Sequence, residues 1–264
     1  MNTNQFFSFR RFSLLFKNDI LINHKPYLFT LAGAFIVIYV IFLYNMMNAY
    51  MFYNSNSYIS VFMMGLVGVG AFVGTAFPEL TDKIRTSNYL LQPGSIFEKF
   101  LVQFLIRFVI CFSLFLLIYY IDAYLAKFTA VRMESVKEKG IVIDNFKMNM
   151  ILESVKPLRD KFMFVFAFFS FGTFLFTSRL FFRRFALVKS IISGAVLICL
   201  FLLGMVLLSH LFFPDITHGF EIQIEQYQIV PGILSTLFLI YLFAFSTWLF
   251  LLPLGYFKLK EKQE

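Results

Sequence analysis

The sequence predicts an all-α polytopic membrane protein with six transmembrane helices, an N-terminal interfacial helix and a short cytoplasmic helix. Of its 264 residues, 59% are hydrophobic and 20% aromatic, whereas only 14% are charged. A soluble domain needs more polar residues than this to cover its surface. Six apolar stretches also reach the length of about 20 residues that a helix needs to cross a bilayer. The predicted spans are Tyr27 to Asn45, Ser57 to Phe77, Phe100 to Ala126, Phe162 to Phe182, Ala186 to Phe213 and Ile233 to Phe257.

The N-terminal residues 1–26 predict a helix that lies in the membrane interface. Phenylalanines alternate there with Arg10, Arg11 and Lys17, and such a mixture suits a helix whose basic side chains reach the lipid headgroups. An unstructured basic tail is the alternative. We expect one transmembrane domain over residues 1–264, with no linker and no second domain.

The charged segment 127–161 is predicted to be an extracytoplasmic loop. Its sequence predicts a short helix followed by a strand over "IVIDNF", residues 141–146. The segment is too small to form a catalytic domain.

The distribution of Lys and Arg predicts that both termini are cytoplasmic. The loops Met46 to Asn56 and Pro214 to Gly232 contain no Lys or Arg, and 14 of the 23 fall on the side that holds the termini. Cytoplasmic segments are enriched in these residues. The eight in segment 127–161 oppose this orientation.

A polar stretch between the second and third spans predicts two consecutive helices. Pro93 and Gly94 end the first, and Ser95 stands three residues before Glu98, which is the spacing of a helix capping box. Upstream, a short amphipathic helix would place its apolar residues near one face: Leu80, Ile84 and Leu91. An ordinary solvated turn before a well-capped helix is the alternative.

The order of these parts resembles the permease subunits of ABC-2-type transporters. The residues that carry the resemblance are Glu79, Leu90, Leu91, Pro93, Ser95, Glu98, Lys99 and Phe100. It implies that residues 80–92 form a coupling helix that docks into an ATP-binding subunit. The docking residues would be Glu79, Leu80, Asp82, Ile84, Arg85, Leu90, Leu91, Pro93, Ser95 and Glu98. Where many members of the family have a glycine after the acidic position, this chain has Lys83 to Thr86.

The resemblance also implies the partners and cofactors. The chain contains no Gly-Lys dipeptide and therefore no phosphate-binding loop of the G-x-x-x-x-G-K-[ST] kind. We expect no cofactor or metal in this chain, and ATP and Mg²⁺ in two copies of an ABC ATP-binding subunit. A second permease subunit, identical or related, and membrane lipids would complete the assembly in the cytoplasmic (inner) membrane. We expect no nucleic acid, because the basic residues cluster at the ends of apolar runs.

The implied function is export of an amphipathic, lipid-like, peptide or polysaccharide substrate. A non-transporting membrane anchor or scaffold of an envelope complex, with or without a coupled ATPase, is the alternative. An intramembrane enzyme is disfavoured, because facing spans carry no paired carboxylates or histidine cluster.

The remaining small and polar residues of the spans favour structural roles. Four glycines, Gly65, Gly68, Gly70 and Gly74, predict close helix packing, within the chain or between protomers. We expect Arg107 and Asp122 to snorkel from opposite ends of the third span, with a proton or ion relay as the alternative. We interpret His210, Asp215 and His218 as interfacial polar residues and not as a metal site.

Overall fold

The structure is a computed structural model that describes residues 6–81, 83–148, 158–182, 185–212 and 249–262, and these are mostly helical. The first helix, α1 (Phe9–Met47), is 39 residues long and contains Pro26. The predicted interfacial helix and first span are therefore parts of one unbroken helix. Next to the proline, the Tyr27 hydroxyl donates a hydrogen bond of 2.7 Å to Asp19 Oδ2, two helical turns earlier.

Two short strands pair with each other near the C-terminus of α1, at the end of the molecule that we call the far end. Strand β1 (Phe52–Tyr53) precedes helix α2 (Ser55–Val73) and pairs in parallel with β2 (Val142–Ile143), which follows helix α6 (Glu134–Glu138). A short helix followed by a strand was predicted for this part of segment 127–161, and both are confirmed. Residues 149–157 of the segment lie outside the described residues.

A long helix with a π-helical middle follows the turn after α2. The turn contains a 3₁₀ helix (Pro78–Thr81) and leads into helix α3 (Lys83–Leu91). Helix α4 (Ile96–Phe104), a π-helical segment (Leu105–Ile110) and helix α5 (Cys111–Ala130) then run without a break. π-Helical turns are rare and are frequently found at functional sites.

The remaining described residues are also helical. Helix α7 (Leu158–Phe181) and helix α8 (Ala186–Phe212) follow, and residues 249–261 form a last helical segment.

Four helices in the described part of the chain are long and apolar enough to cross a membrane: Phe9–Met47, Ser55–Val73, Ile96–Ala130 and Ala186–Gly204. They cover the first, second, third and fifth predicted spans. Helix α7 covers the fourth prediction but is not among the four, and most of the sixth lies outside the described residues. The helical and membrane-spanning character is thus supported, whereas the number of six spans and the orientation of the termini stay predictions.

An aromatic layer forms the core between α1, α2 and α5 at the far end. The Tyr119 ring packs on Phe42 and Phe62, with centroid distances of 5.1 and 5.3 Å, and its hydroxyl donates to the Tyr58 carbonyl at 2.6 Å. By contrast, α1 exposes many apolar side chains along its length, among them Phe29 at 78%. A row of exposed apolar side chains on a spanning helix is what contact with lipid requires.

Candidate functional site

The segment between α2 and α4 is built as two short helices separated by a bend. Helix α3 ends at Leu91, and residues 92–94 form the bend that contains Pro93 and Gly94. Proline cannot continue a helix because it lacks a backbone N–H, and Gly94 lies so close to Leu15 of α1 that a Cβ there would meet Leu15 Cδ1 at 2.6 Å. The bend is thus seated against the N-terminal part of α1.

The predicted capping box at the start of α4 is confirmed. The Glu98 backbone N–H donates to Ser95 Oγ at 3.1 Å, and the Ser95 backbone N–H donates to Glu98 Oε2 at 2.8 Å. These reciprocal bonds satisfy two N–H groups that the helix itself cannot satisfy. They fix the residue at which α4 begins.

The same Glu98 carboxylate also binds the start of α1, a role that the sequence did not reveal. Its Oε1 accepts a hydrogen bond of 2.6 Å from the Ser8 backbone N–H and an ion pair of 3.1 Å from Arg11 Nη2. Ser95 Oγ in turn donates to the Phe6 carbonyl at 2.6 Å. We call these five residues, Phe6, Ser8, Arg11, Ser95 and Glu98, the N-terminal clamp. One fully buried carboxylate therefore holds two helix N-termini, where negative charge is favourable.

The predicted docking residues divide into an exposed tip and a buried root. At the tip, Leu91 is 79% exposed and Pro93 is also exposed. At the root, Leu80 is 2% exposed and Glu98 is fully buried within the chain, so neither presents its side chain to a partner in this arrangement. Leu90 is partly buried against the core. Asp82 lies outside the described residues, as do the side chains of Ile84 and Arg85.

A buried polar network connects the root of this segment to α1 and α4. Asp19 of α1 accepts hydrogen bonds from Gln103 Nε2 at 2.7 Å, from the Tyr27 hydroxyl at 2.7 Å and from Asn23 Nδ2 at 3.3 Å. Asn23 Nδ2 also lies 3.5 Å from Glu79 Oε1. A buried carboxylate is tolerated when such donors surround it. The network thereby links three separate segments of the chain.

Glu79 borders a small cavity in this network. The cavity has a volume of about 60 Å³ and is lined by Asp19, Asn23, Lys99 and Gln103 among others. Glu79 Oε2 is buried there and has no hydrogen-bond partner among the described residues. Burial raises the pKa of the Glu79 carboxyl above its ordinary value of 4.5, although its hydrogen bonds and Arg107 act in the opposite direction. The Glu79 carboxyl therefore retains a proton at higher pH than an exposed glutamate does.

The Glu79 pKa shift predicts that stability decreases as pH rises. The folded protein binds this proton more tightly than the unfolded chain does. The resulting contribution to the free energy of unfolding is therefore complete below pH 4.5, the pKa in the unfolded chain, and is lost as pH rises towards the higher pKa of the folded protein. Glu79→Gln removes the titrating group, and its melting temperature in detergent should fall less between pH 4 and pH 8 than that of the wild type. Glu138→Gln alters an exposed glutamate and should retain the wild-type profile. Parallel profiles for Glu79→Gln and the wild type would contradict the prediction.

Three cationic side chains are buried around the same network. Lys99 Nζ donates to the Leu90 carbonyl at 2.8 Å, and Arg179 Nε of α7 donates to the Ala76 carbonyl at 3.2 Å. The Arg107 guanidinium contacts the rings of Tyr27 and Phe72, 4.9 and 4.6 Å from their centroids. Contacts of a cation with aromatic faces partly replace the lost hydration.

The expectation that Arg107 and Asp122 snorkel is wrong. Arg107 is 4% exposed and Asp122 is fully buried. Both side chains occupy buried positions on the Ile96–Ala130 helix, so the exposure that snorkelling requires is absent.

The four glycines predicted to allow helix packing have different surroundings. A Cβ at Gly65 would overlap the Phe115 ring, and one at Gly70 would lie 3.1 Å from the Phe171 ring. A Cβ at Gly74 would make ordinary contact with Leu187 at 3.4 Å, and one at Gly68 would have no atom within 4 Å. Of these four positions, position 65 is thus the one at which α2 and the Phe115 ring of α5 lie too close together for a side chain.

The described part of the chain contains no group of three His, Cys, Asp or Glu side chains able to hold a metal ion. Of the interfacial polar residues named above, His210 lies on α8, and Asp215 and His218 lie outside the described residues.

A regular spacing of polar residues in the sequence marks the two helix faces that form the buried polar network. Asp19, Asn23 and Tyr27 recur every four residues on α1, and Lys99, Gln103 and Arg107 recur every four residues from α4 into the π-helical segment. Residues four apart share one face of a helix. Two polar rows within apolar stretches predict that the two faces meet.

The fold and the site define a helical membrane protein in which a short helix, α3, is rooted in a buried polar network and exposed at its tip. Comparison of the chain with protein-family models, with curated proteins and with solved structures finds no match.

Proposed function

We propose that the chain is the membrane-spanning permease subunit of an ATP-driven ABC-2-type exporter, and that α3 with the following bend is its docking site for an ATP-binding subunit. The single observation that carries the proposal is the division of this segment into an exposed apolar tip and a buried root. Leu91 is 79% exposed, whereas Leu80 and Tyr89 are 2% and 7% exposed.

This division is what a force-transmitting element requires. A partner that binds the exposed tip can move α3, and the buried root passes the movement to the helices that it contacts. Thr86 Oγ1 donates to the Glu79 carbonyl at 3.2 Å, and Lys99 Nζ of α4 donates to the Leu90 carbonyl at 2.8 Å. Polar bonds of this kind have discrete arrangements and suit a two-state transition.

The proposed mechanism assigns the energy source to the partner. Two ATP-binding subunits, with ATP and Mg²⁺, would close on one another and displace α3 in each of two permease subunits. The spans would then shift between inward-facing and outward-facing arrangements, of which ATP favours one. The exported substrate would be amphipathic or lipid-like, because the chain is rich in aromatic and aliphatic side chains. A peptide or a polysaccharide is the alternative that the family resemblance implies.

Co-purification tests the proposal directly. Tagged protein extracted from its native membrane in mild detergent should retain a roughly stoichiometric protein with a phosphate-binding loop, identified by mass spectrometry. Recovery without any ATPase would overturn the proposal. Recovery of envelope proteins alone would support the scaffold, which is favoured by the apolar surface at the far end, where Tyr50 is 97% and Phe52 64% exposed.

Replacing Leu91, the exposed leucine of the tip, should weaken binding of the ATP-binding subunit. We expect Leu91→Asp to reduce the amount of co-purified ATPase at least about tenfold, because burying an unpaired carboxylate at an interface costs several kcal/mol. The variant should insert and melt as the wild type does, since Leu91 has little contact with its own chain.

Ser87→Asp provides the matched control for the added charge. Ser87 is an exposed residue of the same helix, and its replacement should leave ATPase recovery close to that of the wild type. Equal recovery with both variants would remove the Leu91 tip from the docking site.

A further inference from the structure

Asp122 is a buried acidic residue with no role in the docking segment. It lies on the face of α5 that also carries Ile118, Tyr119 and Ala126, all buried. This face packs against α1 and α2 through the aromatic layer at the far end, and Asp122 is fully buried one turn beyond Tyr119. Its carboxyl is therefore enclosed among helices and has no access to solvent.

Neither oxygen of the Asp122 carboxyl has a hydrogen-bond partner among the described residues. Three cations of the same end make contacts elsewhere, and Lys137 and Lys147 are exposed. Lys127 Nζ donates to the Ile143 carbonyl and to Asn145, and Lys139 Nζ donates to the Met47 carbonyl. The Arg132 guanidinium lies over the Phe128 ring, 3.7 Å from its centroid.

Tyrosines are the titratable side chains of the neighbouring aromatic layer, and none of them donates to the Asp122 carboxyl. The hydroxyls of Tyr39, Tyr58 and Tyr119 donate to Thr129, to the Asp144 carbonyl and to the Tyr58 carbonyl, respectively. The Tyr53 hydroxyl is buried and has no partner among the described residues. The Asp144 side chain is exposed.

An ionised carboxylate in such a place is very unfavourable. Burial of a charge without a counter-ion or hydrogen bonds costs many kcal/mol, and the group takes up a proton instead. Ionisable residues that are enclosed in spanning segments frequently serve proton or ion movement.

We propose that Asp122 is a proton-binding site: its carboxyl carries a proton while α1, α2 and α5 are packed, and releases it only when these helices separate. Proton release and separation are then coupled, because each favours the other. The site would let pH set the fraction of molecules in which the far end is open. The proposal does not rest on docking of an ATP-binding subunit.

Infrared spectroscopy of the purified protein tests the proton directly. A protonated carboxyl has a C=O stretching band at higher frequency than the amide bands, and this band should be present at pH 7. The isosteric change Asp122→Asn should remove the part of this band that Asp122 contributes, whereas any contribution of the buried Glu79 carboxyl should remain. The control Asp144→Asn alters an exposed carboxyl of the same end and should leave the band intact. An unchanged spectrum in Asp122→Asn would overturn the proposal.

A pH titration of the wild-type protein gives a second test that needs no variant to fold. The carboxyl band should persist above the pH range in which an exposed aspartate ionises, and it should be lost completely only where backbone hydrogen–deuterium exchange shows that α1, α2 and α5 have separated. Complete loss of the band while these three helices stay protected from exchange would also overturn the proposal.

Discussion

Replacement of Glu98 by alanine should lower the stability of the protein by about 3 kcal/mol, the combined cost of a lost helix cap and of unsatisfied buried groups. The substitution leaves the backbone N–H groups of Ser8 and Ser95 without their acceptor and removes the ion pair with Arg11. Both α1 and α4 would lose the group that fixes their first turn. The melting temperature in detergent measures the effect.

Two matched variants separate the contributions of the clamp. Glu98→Gln retains one side-chain oxygen as acceptor and should destabilise less than Glu98→Ala. Arg11→Ala should have a small effect, because the Arg11 side chain is 35% exposed and partly exposed ion pairs contribute little. If Glu98→Ala had the same melting temperature as the wild type, the clamp would not stabilise the fold.

Gly65→Leu should be destabilising by about 3 kcal/mol, at the upper end of the usual cost of overpacking a core. A Cβ at position 65 would overlap Cε2 of Phe115 and lie 2.7 Å from Cζ. The Phe115 ring is 5% exposed and packs on Phe62 at a centroid distance of 5.4 Å, so it has no free space into which to move. We expect a lower melting temperature and poorer recovery of monodisperse protein.

Gly68→Leu is the control for the same change on the same helix. A Cβ at Gly68 would have no atom within 4 Å, and leucine has a higher helix propensity than glycine by about 0.8 kcal/mol. Its melting temperature should equal or exceed that of the wild type. Strong destabilisation by this substitution would place a packing surface at Gly68 that the single chain does not contain, such as a contact between protomers.

The clamp changes the interpretation of the motif that suggested a transporter. Ser95 and Glu98 were assigned to partner docking by resemblance, yet their side chains bind the start of α1. Of the assigned residues whose side chains the structure describes, Leu91 and Pro93 remain exposed and available. A docking surface would therefore centre on the bend, while the capping box keeps α1 and α4 together beneath it.

Local patterns predicted the parts of the structure that local interactions form. The capping box at Ser95, the helix α3 before it and the short helix and strand in segment 127–161 were all predicted, because each depends on residues only a few positions apart. The interfacial helix and the first span were predicted as separate elements, whereas the structure joins them in one helix. Helix α1 continues through Pro26, and the Tyr27–Asp19 hydrogen bond and the clamp, which hold its first half in place, do not follow from the sequence of that stretch.

Composition and apolar length by themselves determined that the protein is a helical membrane protein, because a chain this apolar can satisfy its backbone in lipid only as helices or a closed barrel. Only the tertiary structure decided what the polar residues within those helices do. Glu98 contacts residues 87 and 90 positions away, Gln103 reaches Asp19 across 84 positions, and Asp122 is enclosed instead of snorkelling. The physical reason is that a helix presents several possible faces, and its packing partners select which face is buried.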